Sequence, residues 1–371
     1  MVKRRKKFSS VIVLAVLLLF VLTSAMVPKH FNNQAHKEEN GVPDSPHKPF
    51  NPKEMILDHV MDSYEWHLFT YKDFHCSIPL PVILYSKDKG FLIFLSSKFN
   101  HGHRSYKGFK ISPEGKYQGK IVEEMPDGTV VRPLDLSLTK VAVAFIFCAA
   151  LMLWLFISIS HAYTSRKNKA PHGLQNLMEP LILFVRDEIA KSSIGDKYER
   201  YVPYLLTLFF FIFINNLLGL IPIPPGGANV MGNIAIPMVM SLFTFALVLA
   251  SSTKYYWIDI FNTPGVPWWL KFPIPLLPII EFSSLFIKHI VLVIRLFANI
   301  LAGHTVSLGF FALIFIFGES SILAGYGMSV ISIAFTVFLS LLEILVALIQ
   351  AYVFTLLSAL YFGLALEEKH Q

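Results

Sequence analysis

Ile290-Val291-Leu292-Val293-Ile294-Arg295-Leu296-Phe297-Ala298-Asn299-Ile300 has the composition of a membrane-buried helix with one guanidinium in its middle. An arginine in hydrocarbon costs about 2.5–3.5 kcal/mol on insertion scales and far more in simulations. Arg295 lies about twenty residues from either end of the apolar-dominated segment 275–316. A side chain at that depth does not reach the interface by snorkelling. Something must compensate the charge, either a static ion pair or a partner used in function.

The surrounding chain supports the membrane reading. Hydrophobic residues make up 54% of the sequence and charged residues 15%, with 33 phenylalanines, well outside globular usage. The formal charge of +7 sits largely in loops beside apolar segments, so it reflects topology and not nucleic-acid binding. Cys76 and Cys148 are too few and too far apart in character to form a disulfide framework.

Long apolar segments predict spans near 140–162, 203–222, 234–252, 275–316 and 328–364. The last two exceed one perpendicular crossing of a core about 30 Å thick, so they must tilt or project. Pro273, Pro275 and Pro278 fall at the start of the fourth, where a first helical turn tolerates proline. Basic residues fill the loops 163–202 (Arg166, Lys167, Lys169, Arg186, Lys191, Lys197, Arg200) and 253–274 (Lys254, Lys271), and the tail holds Lys369. Segments 223–233 and 317–327 hold none. The positive-inside rule then puts the N-terminal region outside and the C-terminus in the cytoplasm.

Residues 3–25 run from a basic cluster through a short apolar stretch to Thr23-Ser24-Ala25, the order of a signal peptide cleaved after Ala25, or else an anchor. Residues 26–137 form an extracytoplasmic extension. Its beginning, to about Pro52, has the composition of a disordered tether, and Glu54–Phe69 has helical spacing. Pro81–Tyr85 and Gly90–Leu95 read as a hairpin around Ser86–Lys89, and Thr129–Val131 as a strand after the Pro126-Asp127-Gly128 turn. Eight of the 13 histidines lie between His30 and His103, yet only His101 and His103 form a tight pair, without a carboxylate or thiol at ligand spacing. No metal or cofactor site is expected. The fold expected is an all-α polytopic membrane protein of five transmembrane helices, the last two long and tilted, plus this small mixed α/β N-terminal region. The membrane domain takes 138–366 and a cytoplasmic tail 367–371.

Within the first inner loop, Leu174, Leu177, Leu181, Phe184 and Val185 alternate with Glu179, Arg186, Asp187 and Glu188, as an amphipathic surface helix requires. In the fourth span Glu281, Lys288 and Arg295 recur every seven residues, near one helix face, and Asn299 extends it; His304 projects roughly opposite. In the fifth, Ser340, Glu343 and Gln350 share a face on which Ala347 and Ala351 allow close helix approach. Arginine cannot relay protons, whereas His304 and Glu343 titrate. The set suits a proton path interrupted by a fixed positive charge, with a mobile carboxylate supplied by another subunit. Asn215 and Asn216, near the outer end of the second span, suit helix–helix hydrogen bonding.

Arg295-Leu296-Phe297-Ala298-Asn299-Ile300-Leu301-Ala302-Gly303-His304 resembles the R-L-F-x-N-x-x-A-G signature of subunit a of the F-type ATP synthase. The likeness continues through Asn176–Pro180, Asn215–Pro222 and Leu348–Phe354, and covers most of 140–366. It implies a bacterial inner-membrane stator subunit without a nucleotide site or cofactor, working with a ring of c subunits, the peripheral-stalk subunit b and the remaining synthase subunits. In that family two offset half-channels meet near the arginine, which attracts an ionised ring carboxylate and blocks a proton leak. Carried over, Arg295 is the essential charge, Gln350 and Asn299 its neighbours, His304 with Glu343 the outer relay, and Glu281 with Lys288 the lining of the cytoplasmic exit. Many bacterial members carry glutamate where His304 stands and histidine where Glu343 stands. The two types are exchanged here, which predicts that the pair still faces one another. The competing readings are a secondary transporter or channel with a midplane arginine, for which the internal repeats are missing, and a structural anchor, which leaves the polar stripe unexplained.

Overall fold

The computed structural model describes residues 52–71, 74–100, 102, 104–113, 115–125, 129–165, 170–221, 224–261 and 276–367. The signal-like segment, the tether before Pro52, the His101/His103 pair and the last four residues lie outside them. Two compact units emerge, one from the described parts of 1–143 with 302–341, the other from those of 144–301 with 342–371.

The N-terminal module starts with helix α1 (Pro52–Val60), which ends well short of the helix expected to Phe69. Asp62 and Ser63 stop it because their polar groups are used elsewhere, and the following aromatic-rich residues form strand β1 (Glu65–Tyr71) against β2 (Phe74–Pro79). Strands β3 (Pro81–Ser86) and β4 (Gly90–Leu95) make the expected hairpin, turned at 87–89 with Gly90 at φ 70°, a left-handed value that glycine adopts freely. Adding β8 (Leu134–Asp135) gives the order β4-β3-β8. A separate antiparallel sheet joins β5 (Phe109–Ile111), β6 (Ile121–Glu124) and β7 (Val130–Val131), the last on the strand signal at 129–131. Alternation on β3 turns Val82 and Leu84 inward, where they meet Tyr64, Phe99, Phe109 and Ile121 in one buried core. Inside the module, Glu123 is buried; one carboxylate oxygen accepts from Ser86 Oγ at 2.5 Å and the other pairs with Lys89 Nζ at 3.0 Å.

The module also caps helix α2 (Lys140–Ser165), the first apolar helix. The N–H of Lys140 donates to Ser63 O (2.9 Å), that of Val141 to Asp62 Oδ1 (3.1 Å) and that of Ala142 to Thr139 Oγ1 (3.3 Å). Helix starts leave such donors unmatched; the first two bonds tie the module to the helix backbone, and the third is a local cap. Burial pushes the Asp62 carboxyl up from its usual range, against the lowering effect of Lys120 and the Val141 N–H.

Beyond the basic loop, α3 (Leu174–Leu183) carries Pro180, which has no N–H for the α ladder, and the helix continues as a π-helix over Phe184–Lys191. The apolar helices α4 (Val202–Leu220) and α5 (Ala235–Ser251) follow. Helix α6 (Lys254–Phe261) bends away from α5 by 104°, within a stretch expected to be loop. Helices α7 (Leu276–Ser320) and α8 (Ile322–Leu366) have 45 residues each, about 67 Å at 1.5 Å per residue. The predicted 317–327 loop contracts to Ser321. Its hydroxyl accepts from Ala324 N–H as a cap, and a Cβ on Gly325 would lie 2.9 Å from Gly318 Cα, so two glycines let the arms close tightly. Phe310 and Phe335 stack across this hairpin, centroids 5.2 Å apart.

In the second unit Phe145 and Phe156 of α2 meet Phe211 and Phe210 of α4 edge to face. Asn215 Nδ2 donates to Cys148 Sγ, and the Tyr204 and Thr244 hydroxyls bond at 2.8 Å. Interhelical hydrogen bonds average about 0.6 kcal/mol in membranes, so these orient helices that packing holds. A Cβ on Gly363 of α8 would fall 2.0 Å from Ser193 O, which makes glycine obligatory where α8 meets the turn after the π-helix. Four helices are long and apolar enough to cross a membrane, or up to five if the bent α5–α6 pair is one span, among the described residues. The protein is thus a mostly helical, polytopic membrane protein with a small strand-containing N-terminal module.

Candidate functional site

The site is built on α7 and α8, whose burial follows helical periodicity. On α7 the inward positions are Leu285, His289, Leu292, Val293 and Leu296, while Ile290, Val291 and Ile294 are exposed. Arg295 and Asn299 lie on the exposed side, one turn apart. Arg295 therefore stands on an outward, apolar strip. No hydrogen bond or ion pair reaches its guanidinium among the described residues. Within the unit it lies in electrostatic reach of Tyr361 on α8.

On α8 the stripe inferred from spacing is the observed inner face. Ala347, Gln350, Ala351, Phe354, Ser358 and Phe362 are buried, whereas Leu341, Leu345, Leu348 and Ile349 are exposed. Alanines flanking Gln350 admit a neighbouring helix closely, so the amide is held within protein and not in lipid. Ser340 and Glu343 are half-buried at the head of the same face, and His304 on α7 is half-buried too; both His304 and Glu343 have interaction partners. Glu281 and Lys288 are half-buried, Glu281 in electrostatic reach of Tyr256 on α6.

One titratable residue of this region escaped the reading of motifs. His289 is 8% exposed, wedged between Phe245 of α5 (ring centroids 4.8 Å) and Tyr361 of α8 (5.0 Å). Its backbone carbonyl accepts from Ser241 Oγ at 2.9 Å. The signal was present: Leu285, His289, Leu292 and Leu296 form an i, i+4, i+7, i+11 series, which places the imidazole on the inward face.

Asn215 and Asn216 are both buried on α4; Asn215 bonds to Cys148 and to Phe211 O, and the Asn216 amide has no partner among the described residues. The inner-loop segment is helical as its spacing requires, with Leu174 and Leu177 exposed and Gln175 and Met178 buried. On its π-helical part Arg186 pairs with Asp187 (2.7 Å) and holds that carboxyl below its usual range.

Residues 142–363 match the family described as ATP synthase A chain. The chain belongs to that family. Relatives named ATP synthase subunit a include one from Chloroherpeton thalassium, 41% identical over 238 residues (62% of this chain, 67% of the relative). One from Chlorobium phaeobacteroides is 39% identical over 278 residues (71% and 77%), and one from Myxococcus xanthus 36% over 277 (73% and 86%). The last two alignments cover more of this chain than 142–371 contains, so the likeness runs back into the N-terminal module. That module, at 55–136, matches a family described as Domain of unknown function (DUF8433). As a member of the ATP synthase A chain family, the protein is a membrane-embedded subunit of an ATP synthase, concerned with ion transport and ATP synthesis, and its partners are other subunits of that complex.

Proposed function

We propose that this subunit supplies two proton half-channels to a rotating c-ring and that Arg295 couples proton flow to rotation. The observation that carries the reading is the position of Arg295: an exposed guanidinium on an apolar helix face, with no partner among the described residues. A charge so placed needs a counter-charge from outside the chain, and a ring carboxylate satisfies it each time one arrives ionised. Gln350 and Asn299 act beside Arg295, His304 with Glu343 relays protons in the outer half-channel, and Glu281 with Lys288 lines the cytoplasmic exit. One imidazole and one carboxylate, at 304 and 343, supply the titratable groups such a path needs.

The topology proposed has five spans, formed by α2, α4, α5, α7 and α8. Residues 1–25 are a signal peptide or anchor, 26–137 lie outside the cytoplasm, 138–366 form the membrane domain and 367–371 a cytoplasmic tail. The distribution of lysine and arginine supports this orientation, in a bacterial inner membrane with subunit b of the peripheral stalk as a further partner. At 45 residues, α7 and α8 run steeply tilted or project beyond the bilayer. Each unit charge crossing 100 mV gains about 2.3 kcal/mol, so several protons must pass for each ATP. The test is Arg295→Ala in the assembled complex, followed by ATP-driven proton pumping. Pumping should vanish while assembly persists; normal pumping from an intact complex rejects the reading.

A further inference from the structure

His289 combines three features that packing alone does not require. Its Nδ1 lies 2.8 Å from Leu285 O, one turn back on α7. A carbonyl oxygen only accepts, so Nδ1 carries the proton and the neutral ring presents its lone pair at Nε2. That Nε2 is buried and has no hydrogen-bond partner among the described residues. An imidazole that served only as an aromatic wedge would be replaceable by phenylalanine without leaving a buried polar atom unmatched.

Its position on the helix is equally specific. Arg295 lies six residues further along α7, about 9 Å along the axis, and Lys288 immediately before. In the proposed orientation, His289 sits between the cytoplasmic end and the level of Arg295. Among the described residues, α5 brings Ser241 and Phe245 to His289, and α8 brings Tyr361. The charged groups nearest along its own helix are Lys288, Arg295 and, two turns back, Glu281. The Ser241 bond to the His289 carbonyl pins α5 to α7 at this point, so the ring is held at a fixed place between three helices.

We propose that His289 is a proton-carrying residue of the cytoplasmic half-channel, and that Nε2 is the atom which takes up and releases the proton. This rests on reading the chain as the proton-conducting subunit. The transfer is a simple one: Nε2 accepts a proton from water or a neighbouring group of the path, the ring becomes a cation with the Nδ1–H still on Leu285 O, and the same proton leaves Nε2 for the next acceptor.

The experiment uses the intact complex in inverted membrane vesicles, with ATP-driven pumping measured as the pH on the cytoplasmic side is varied at constant pH on the other. His289→Phe keeps a ring between Phe245 and Tyr361 but cannot titrate; His289→Gln keeps polarity without titrating. Both should assemble, pump several-fold more slowly and lose an inflection that the native complex shows in its dependence on cytoplasmic pH. An assembled His289→Phe with native rate and profile overturns the proposal, as does an unchanged profile in His289→Gln. Failure of both to assemble also overturns it, since a structural wedge then accounts for the residue. Arg295→Ala, run alongside, separates the two readings: normal pumping there sinks the half-channel reading itself, whereas loss there with an unchanged His289→Phe sinks this inference alone.

Discussion

Replacing Lys89 by methionine strands the Glu123 carboxylate inside the N-terminal module. Glu123 is 3% exposed at its side chain, and its ion pair with Lys89 at 3.0 Å is the interaction that balances its charge. Removing one partner of a fully buried pair costs about 3–5 kcal/mol. The Lys89 side chain is 38% exposed, so water partly replaces the ammonium and the expected loss falls to about 1–3 kcal/mol. Lys89 also donates to Lys107 O at 2.8 Å and lies over the Phe109 ring at 4.8 Å, contacts that methionine gives up but partly repacks. Adding Glu123→Gln removes the stranded charge and keeps an acceptor for Ser86, so the double variant should recover most of the loss, to within about 1 kcal/mol of native. The assay is urea-dependent proteolysis of the full chain in detergent, with cleavage mapped to 52–136. If Lys89→Met alone is as stable as Lys89→Met with Glu123→Gln, the carboxylate is not stranded and the ion-pair argument is wrong.

Asp62 gives a pH dependence of opposite sign to the usual carboxylate. Its folded value is raised by burial, so its stabilising contribution is complete below the unfolded value, about 3.9, and is lost as pH rises through the folded value. Asp62→Asn keeps an acceptor for the Val141 N–H and should flatten that part of the proteolysis-derived stability profile; a slope identical to native would contradict the assignment. Gly363→Ala places a methyl 2.0 Å from Ser193 O, a backbone atom, so the end of α8 or the turn must shift at a cost of about 1–3 kcal/mol. Reduced heat stability of the detergent-solubilised complex is the expected readout, and an unchanged midpoint would mean the turn yields freely.

Much of the membrane domain was legible because apolar length and helical periodicity are read from one residue type after another. The inner stripe of Gln350, Ala347 and Ala351 emerged from spacing alone, since burial on α8 follows the same period. The hairpin β3–β4 was readable for a local reason: its turn residues and alternating strands lie together in sequence. What failed was non-local. The helical spacing from Glu54 onward gave way at Asp62 and Ser63, which cap α2 about eighty residues later. The stretch 317–327, left between two apolar segments, closes to a turn at Ser321, because Gly318 and Gly325 serve close approach of two helices. His289 was overlooked beside Lys288 and Arg295, because an isolated imidazole has no motif and its neighbours Ser241, Phe245 and Tyr361 come from other helices.

Arg295 as the barrier between two half-channels is tested most directly by proton flux down an imposed gradient, across vesicles holding the intact complex with its catalytic head inhibited so that the rotor cannot turn. Native vesicles should stay tight, and Arg295→Ala vesicles should leak protons while making no ATP once the inhibitor is removed. Arg295→Ala vesicles that are as tight as native and still synthesise ATP would show that the proton path is divided by something other than this residue.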